Sequence, residues 1–152
     1  MIRDQIKSHP FFAGLHVDAV DALAAMSEIE RFPAGTWIAR EGHVAEHMFA
    51  LVRGRAMVEA ARPGGRTTVL NTVDAGEVIG WSWLFAPHRW HFDVLAVEEV
   101  EALAVRAEDL REMLDREPVV GNLLTRRLAQ VMAARLTAAR LQLLDVYGST
   151  DA

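Results

Sequence analysis

The sequence predicts a mainly β fold, an eight-stranded antiparallel jelly roll with flanking helices and a long C-terminal helix. Three observations carry that expectation. From Ser27 to Arg106, short apolar stretches alternate with turn residues roughly every ten positions, the cadence of a sandwich or barrel. Outside that region the apolar residues recur at three- and four-residue steps, the period of helices. The breaks Pro33-Ala34-Gly35, Glu41-Gly42, Arg53-Gly54, Arg62-Pro63-Gly64-Gly65 and Asp74-Ala75-Gly76 supply the left-handed positions that tight turns need.

Taken in order, Ile2 to Lys7 reads as a short helix stopped at His9-Pro10, because the residue before proline disfavours helical geometry. Phe11, Phe12 and Leu15 form an apolar knot. Asp18 is expected to cap a helix running to about Met26, with Val20, Leu23 and Met26 on its buried side. The expected strands are Ile29–Phe32, Thr36–Ala39, His47–Val52, Arg55–Ala61, Arg66–Val73, Glu77–Ile79, Phe92–Ala96 and Val100–Val105. A jelly roll closes off most of the sheet edges that eight short strands would otherwise expose. Glu108 to Leu114 is a further helix, and Pro118 opens a long one that reaches Tyr147 and stops at Gly148.

The 152 residues suit a single domain, with the helices and jelly roll in 1–118 and the long helix in 119–148. Hydrophobic residues at 51% and charged residues at 24% describe a globular chain, and the absence of cysteine excludes disulfides, thiolate metal sites and a cysteine nucleophile. No apolar run is long enough to span a membrane, and the N-terminus does not read as a signal peptide, so a cytoplasmic protein is expected. A net charge of −5 argues against non-specific nucleic-acid binding. After Gly148 too few residues remain for a DNA-reading helix and its support, so no direct DNA binding is expected.

The stretch Gly76 to Val94 stands apart. It holds three of the four tryptophans, with glycines followed by a segment that can form one helical turn and a break at Pro87. Glycines ahead of a helical turn leave amide groups free to hold an anion. The candidate ligand contacts are Gly80, Trp81, Ser82, Trp83, Arg89 and Trp90. In that reading the amides near Ser82 take an anionic group, Arg89 neutralises it and the indoles stack on a ring. The alternative is that Trp81, Trp83, Trp90 and Phe92 fill the pocket themselves. His43 and His47 lie four apart but straddle a turn and a strand entry, so they do not share a helix face and no metal is expected. No His-x-His, G-x-S-x-G or P-loop occurs, which argues against an enzyme.

With these elements in place the chain resembles the cyclic nucleotide-binding domain of the catabolite activator and fumarate-nitrate regulator superfamily. The resemblance runs from Phe11 to the end of the long helix, through Phe32-Pro33-Ala34-Gly35-Thr36-Trp37-Ile38, Arg40-Glu41-Gly42, Met48-Phe49-Ala50-Leu51-Val52-Arg53-Gly54-Arg55 and Gly76-Glu77-Val78-Ile79-Gly80. It implies a helical N-terminus, a jelly roll, a phosphate-binding cassette and a dimerising C-terminal helix, with cyclic AMP or another cyclic nucleotide as ligand. In the family's cassette a glycine-glutamate pair receives the ribose hydroxyl, and an arginine after a loop balances the phosphate. Here Gly80 matches the glycine, Trp81 stands in place of the glutamate, and Trp90 falls on the arginine position with Arg89 one residue early. The missing acid alone weakens sugar binding by roughly 1–3 kcal/mol.

The long helix carries an apolar stripe, Leu128, Met132, Leu136, Ala139, Leu143 and Val146, expected to join two copies in a homodimer. Its Arg126, Arg127, Arg135 and Arg140 read as a solvated basic face. The functional expectation is a sensory or regulatory module that binds a small anionic ligand, or a regulated protein partner, and signals through this helix. A ligand-free scaffold and the effector domain of a transcription regulator are the alternatives.

Overall fold

A computed structural model describes residues 1–148, and side chains as far as residue 145. The helices are α1 (Ile2–Ser8), α2 (Val17–Ala25), α3 (Ala107–Arg116) and α4 (Pro118–Gly148). The strands are β1 (Ser27–Phe32), β2 (Trp37–Ala39), β3 (His47–Arg53), β4 (Arg55–Ala61), β5 (Thr67–Asp74), β6 (Val78–Ile79), β7 (Asp93–Ala96) and β8 (Val100–Arg106). They form two four-stranded antiparallel sheets, ordered β1-β8-β3-β6 and β2-β7-β4-β5. This is the predicted jelly roll, with each strand within two residues of its expected ends.

The turn residues explain why the strands stop where they do. Gly54 joins β3 to β4 at φ 91°, and a Cβ there would run into the Glu99 carbonyl. Only glycine combines that left-handed geometry with so close a backbone approach. The core lies between the sheets and beneath the helices. Met48, Leu51, Ile79 and Leu103 supply it from the strands, Ile6 and Leu23 from α1 and α2, Leu110 and Met113 from α3.

The N-terminal segment is tied down by a histidine. His9 is 4% exposed, its Nε2 donates to the Leu51 carbonyl at 3.0 Å, and its Nδ1 accepts the Phe11 N–H at 3.1 Å. Both bonds need the neutral ring with its proton on Nε2. The helix expected to be capped by Asp18 is instead capped by His16, whose Nδ1 accepts the Asp18 N–H at 3.2 Å. An imidazole acceptor two residues earlier does the work of the carboxylate, so α2 starts at Val17.

At 31 residues α4 is about 46 Å long, and its two halves differ. Val120, Leu124 and Leu128 pack into the domain, each 2% exposed or less. From Leu136 to Asp145 every residue is exposed. The predicted dimer stripe therefore needs correcting at its start: Leu128 belongs to the domain's own core and offers nothing to a second copy. Met132 is half-buried against that core, while Leu136, Ala139 and Leu143 are exposed. The side chain of Val146 lies outside the described residues.

Candidate functional site

The segment from Gly80 to Phe92 leaves β6 and returns to β7 without forming a helix. The expected helical turn is a hydrogen-bonded turn, closed by the Leu84 N–H on the Trp81 carbonyl at 2.9 Å. A second turn follows, with the His88 N–H on the Phe85 carbonyl at 2.8 Å and a cis Ala86–Pro87 peptide. Among the described residues, the N–H groups of Trp81, Ser82 and Trp83 have no protein acceptor.

His88 turns the chain at φ 57°, and the backbone from Arg89 to Trp90 then pairs with the loop at 42–45 through an antiparallel bridge between Arg89 and Val44. The Trp90 N–H donates to His43 at 2.9 Å, the Gly42 N–H to Trp90 at 2.8 Å and the Ala45 N–H to His88 at 2.7 Å. Neighbours on extended backbone point to opposite sides. Trp90 turns inward, 7% exposed and stacked on Phe49 at a ring separation of 6.2 Å. Arg89 therefore turns outward, and its Nη1 donates to the Gly42 carbonyl at 2.7 Å. Arg89, expected to neutralise a ligand from the cassette, is exposed in this arrangement and is absent from the lining of the cavity beside it.

Between this segment and α4 lies a cavity of about 650 Å³. Gly80, Trp81, Ser82 and Trp90 line it on the cassette side, and Phe92, Leu70 and Val58 continue the wall along the strands. Met132, Arg135, Leu136, Ala139 and Gln142 of α4 close the opposite side. Trp83 is absent from the lining. It is 1% exposed in the core, its carbonyl accepts from Arg111 Nη1 at 2.6 Å, and its Nε1 has no partner among the described residues. The aromatics thus frame a space rather than fill it, because Trp90 is held against Phe49 and Trp83 is drawn under the turn.

The cation at this cavity comes from the helix. Arg135 Nη2 donates to the Val78 carbonyl at 2.7 Å, just ahead of Gly80. Burial pushes the Arg135 pKa down, and the nearby Glu77 carboxylate partly offsets that. Glu77 also lines the cavity, with its Oε1 accepting the Asp74 N–H at 2.8 Å. Arg135 and Glu77 were not among the residues expected from the sequence. A signal existed: Arg135 lies three residues after Met132 and four before Ala139, on the apolar stripe itself.

The chain is thus a jelly roll with an apolar cavity between a glycine-led loop and a C-terminal helix. The cyclic nucleotide-binding domain model matches residues 29–117, and the chain belongs to that family. The Cyclic AMP receptor protein of Thermus thermophilus is 28% identical over 138 residues, 91% of this chain and 62% of that protein. Glutaminase 1 of Bradyrhizobium diazoefficiens is 28% identical over 146 residues, 96% of this chain and 23% of that protein. The chain thus spans less than two thirds of the length of either relative. A cyclic nucleotide-binding domain from Methylobacillus flagellatus superposes with a TM-score of 0.80 at 18% identity, covering 94% of this chain and 83% of that one.

Proposed function

We propose that this chain is a non-catalytic, cytoplasmic regulatory module whose cavity takes a small anionic ligand carrying a ring, and which signals through α4. The observation that supports it best is the cavity itself, about 650 Å³ with the cassette on one side and the projecting helix on the other. A ligand there touches both elements at once, and its differential contacts shift the helix between positions. Trp81 and Trp90 offer ring faces, the unpaired amides at Trp81 and Ser82 offer donors, and Arg135 offers the charge.

A cyclic nucleotide is the first ligand class to test, and the indole at Trp81 disfavours the sugar contact that a carboxylate makes in the family. Titrating cyclic AMP, cyclic GMP and cyclic dinucleotides while following tryptophan emission should show a saturable change with at least one. A flat response to all of them, from a folded protein, would replace the sensor with a scaffold. In the same reading, two copies pair through the exposed part of α4.

A further inference from the structure

A cluster of three side chains, none of which lines the cavity, lies on the sheet β1-β8-β3-β6. In β1 the residues Glu28 and Glu30 are two apart and so project from the same face. Their partners across the first ladder are Ala104 and Ala102 of β8. Across the next ladder, β3 sets Phe49 against Ala104 and His47 against Arg106. Strands two apart in a sheet are separated by about 10 Å, too far for most side chains to meet. Here β8 presents only methyl groups opposite the two glutamates, and the gap above it is bridged from both banks. One carboxylate oxygen each from Glu28 and Glu30 and one ring nitrogen of His47 lie within 4.8 Å of one another.

Two carboxylates this close repel unless a cation stands between them. Among the described residues neither Glu28 nor Glu30 forms an ion pair. Arg106, the basic side chain opposite His47, is committed to Asp109 at 2.6 Å and to the Ala25 carbonyl at 3.2 Å. The His47 ring is held in place against Phe49, with their centroids 5.8 Å apart. Glu30 and His47 are half-buried, and Glu28 is exposed.

We propose that Glu28, Glu30 and His47 form a binding site for a divalent transition metal, with zinc the best match. One imidazole nitrogen and two carboxylate oxygens are ligands zinc accepts, and the exposed side at Glu28 leaves a fourth position for water. The metal fastens β1 to β3 over β8. None of its three ligands lines the cavity. His47 thus finds its partners across the sheet rather than in His43, four residues before it.

The test is zinc uptake by the full chain, measured by titration calorimetry and by metal analysis after gel filtration. One equivalent should bind, and zinc at about a hundredfold over Kd should raise Tm by roughly 5–10 °C. Glu30→Gln and His47→Gln should each weaken uptake by roughly tenfold or more, whereas a His88→Gln/His91→Gln pair should leave it unchanged. Glu28→Gln provides a second carboxylate variant if one of the others fails to fold. On the unaltered protein, zinc should shift a ring nitrogen of His47 in nitrogen-15 spectra. Absence of uptake, uptake indifferent to all three substitutions, or an unmoved His47 ring would overturn the proposal.

Discussion

Arg135 of α4 donates to the main-chain carbonyl of Val78 at 2.7 Å and so ties the exposed half of the helix to the strand that opens the cassette. Its guanidinium borders the cavity of about 650 Å³ and a smaller one of about 420 Å³ behind it, which Pro10, Phe11 and Arg127 line. Arg127 makes the matching tie one stretch earlier, donating to the Phe11 carbonyl at 2.8 Å. A charged hydrogen bond of this kind contributes about 1.5–3 kcal/mol when half-buried. Arg135→Met keeps much of the stem and removes the charge, so Tm should fall by roughly 3–10 °C. Hydrogen exchange should quicken in 132–145 and stay unchanged in 118–128. Uniform quickening along the helix would mean that Arg135 is no local tie.

Trp81 stands where the resembling family places a carboxylate, and it lines the cavity beside Ser82. Trp81→Glu supplies an acceptor to a sugar hydroxyl and clears the space an indole occupies. Restoring a hydrogen bond to a buried hydroxyl is worth about 1–3 kcal/mol, or roughly fivefold to a hundredfold in affinity. Cyclic AMP should therefore bind Trp81→Glu more tightly than it binds Trp81→Phe, measured by calorimetry on both. Equal affinities would place the sugar elsewhere, or the nucleotide outside this cavity.

The fold was legible because its punctuation is local. Arg53-Gly54 and Asp74-Ala75-Gly76 announce turns from residue type alone, and Gly54 and Gly76 adopt the left-handed geometry that such turns require. The site was legible only in part, because the direction of a side chain on extended backbone depends on what that backbone pairs with. Arg89 faces outward because residues 88–90 pair with a loop some forty-five positions earlier, and no pattern near Arg89 encodes that register. Arg135 was hidden for a related reason. An arginine on an apolar stripe looks solvated until one knows which part of the stripe crosses a cavity mouth. Leu128 and Leu143 share that stripe too, yet one is core and the other exposed, since the sequence does not say where the domain ends beneath the helix.

His9 makes stability depend on pH. Burial lowers its pKa, and the bonds to the Leu51 and Glu77 backbones offset only part of that. The folded state therefore favours the neutral ring more than the unfolded chain does. The unfolded chain binds more protons, so this contribution is complete above the ordinary histidine value of about 6.5. It is lost as pH falls from there through the lower, folded value. Denaturant unfolding should show stability falling between pH 7 and pH 5, with a shallower fall in His9→Gln. Parallel slopes for the two proteins would remove His9 as the titrating group.

The two halves of α4 predict opposite consequences for similar substitutions. Leu128 is 2% exposed inside the domain, and Leu128→Ala should cost about 2–5 kcal/mol of folding stability. Leu143 and Leu144 are 56% and 65% exposed, and Leu141 is 56% exposed on the same projecting segment. Single exposed leucines are ordinary, but several along one turn of a helix that leaves the domain are what a helix pair covers. Leu143→Glu with Leu144→Glu should leave folding stability nearly unchanged and convert a dimer to a monomer in sedimentation velocity. Leu128→Ala should do the reverse, lowering Tm while the surviving folded protein still pairs. A wild-type chain that sediments as a monomer at high micromolar concentration would end the homodimer reading, and would leave the leucines to a different partner.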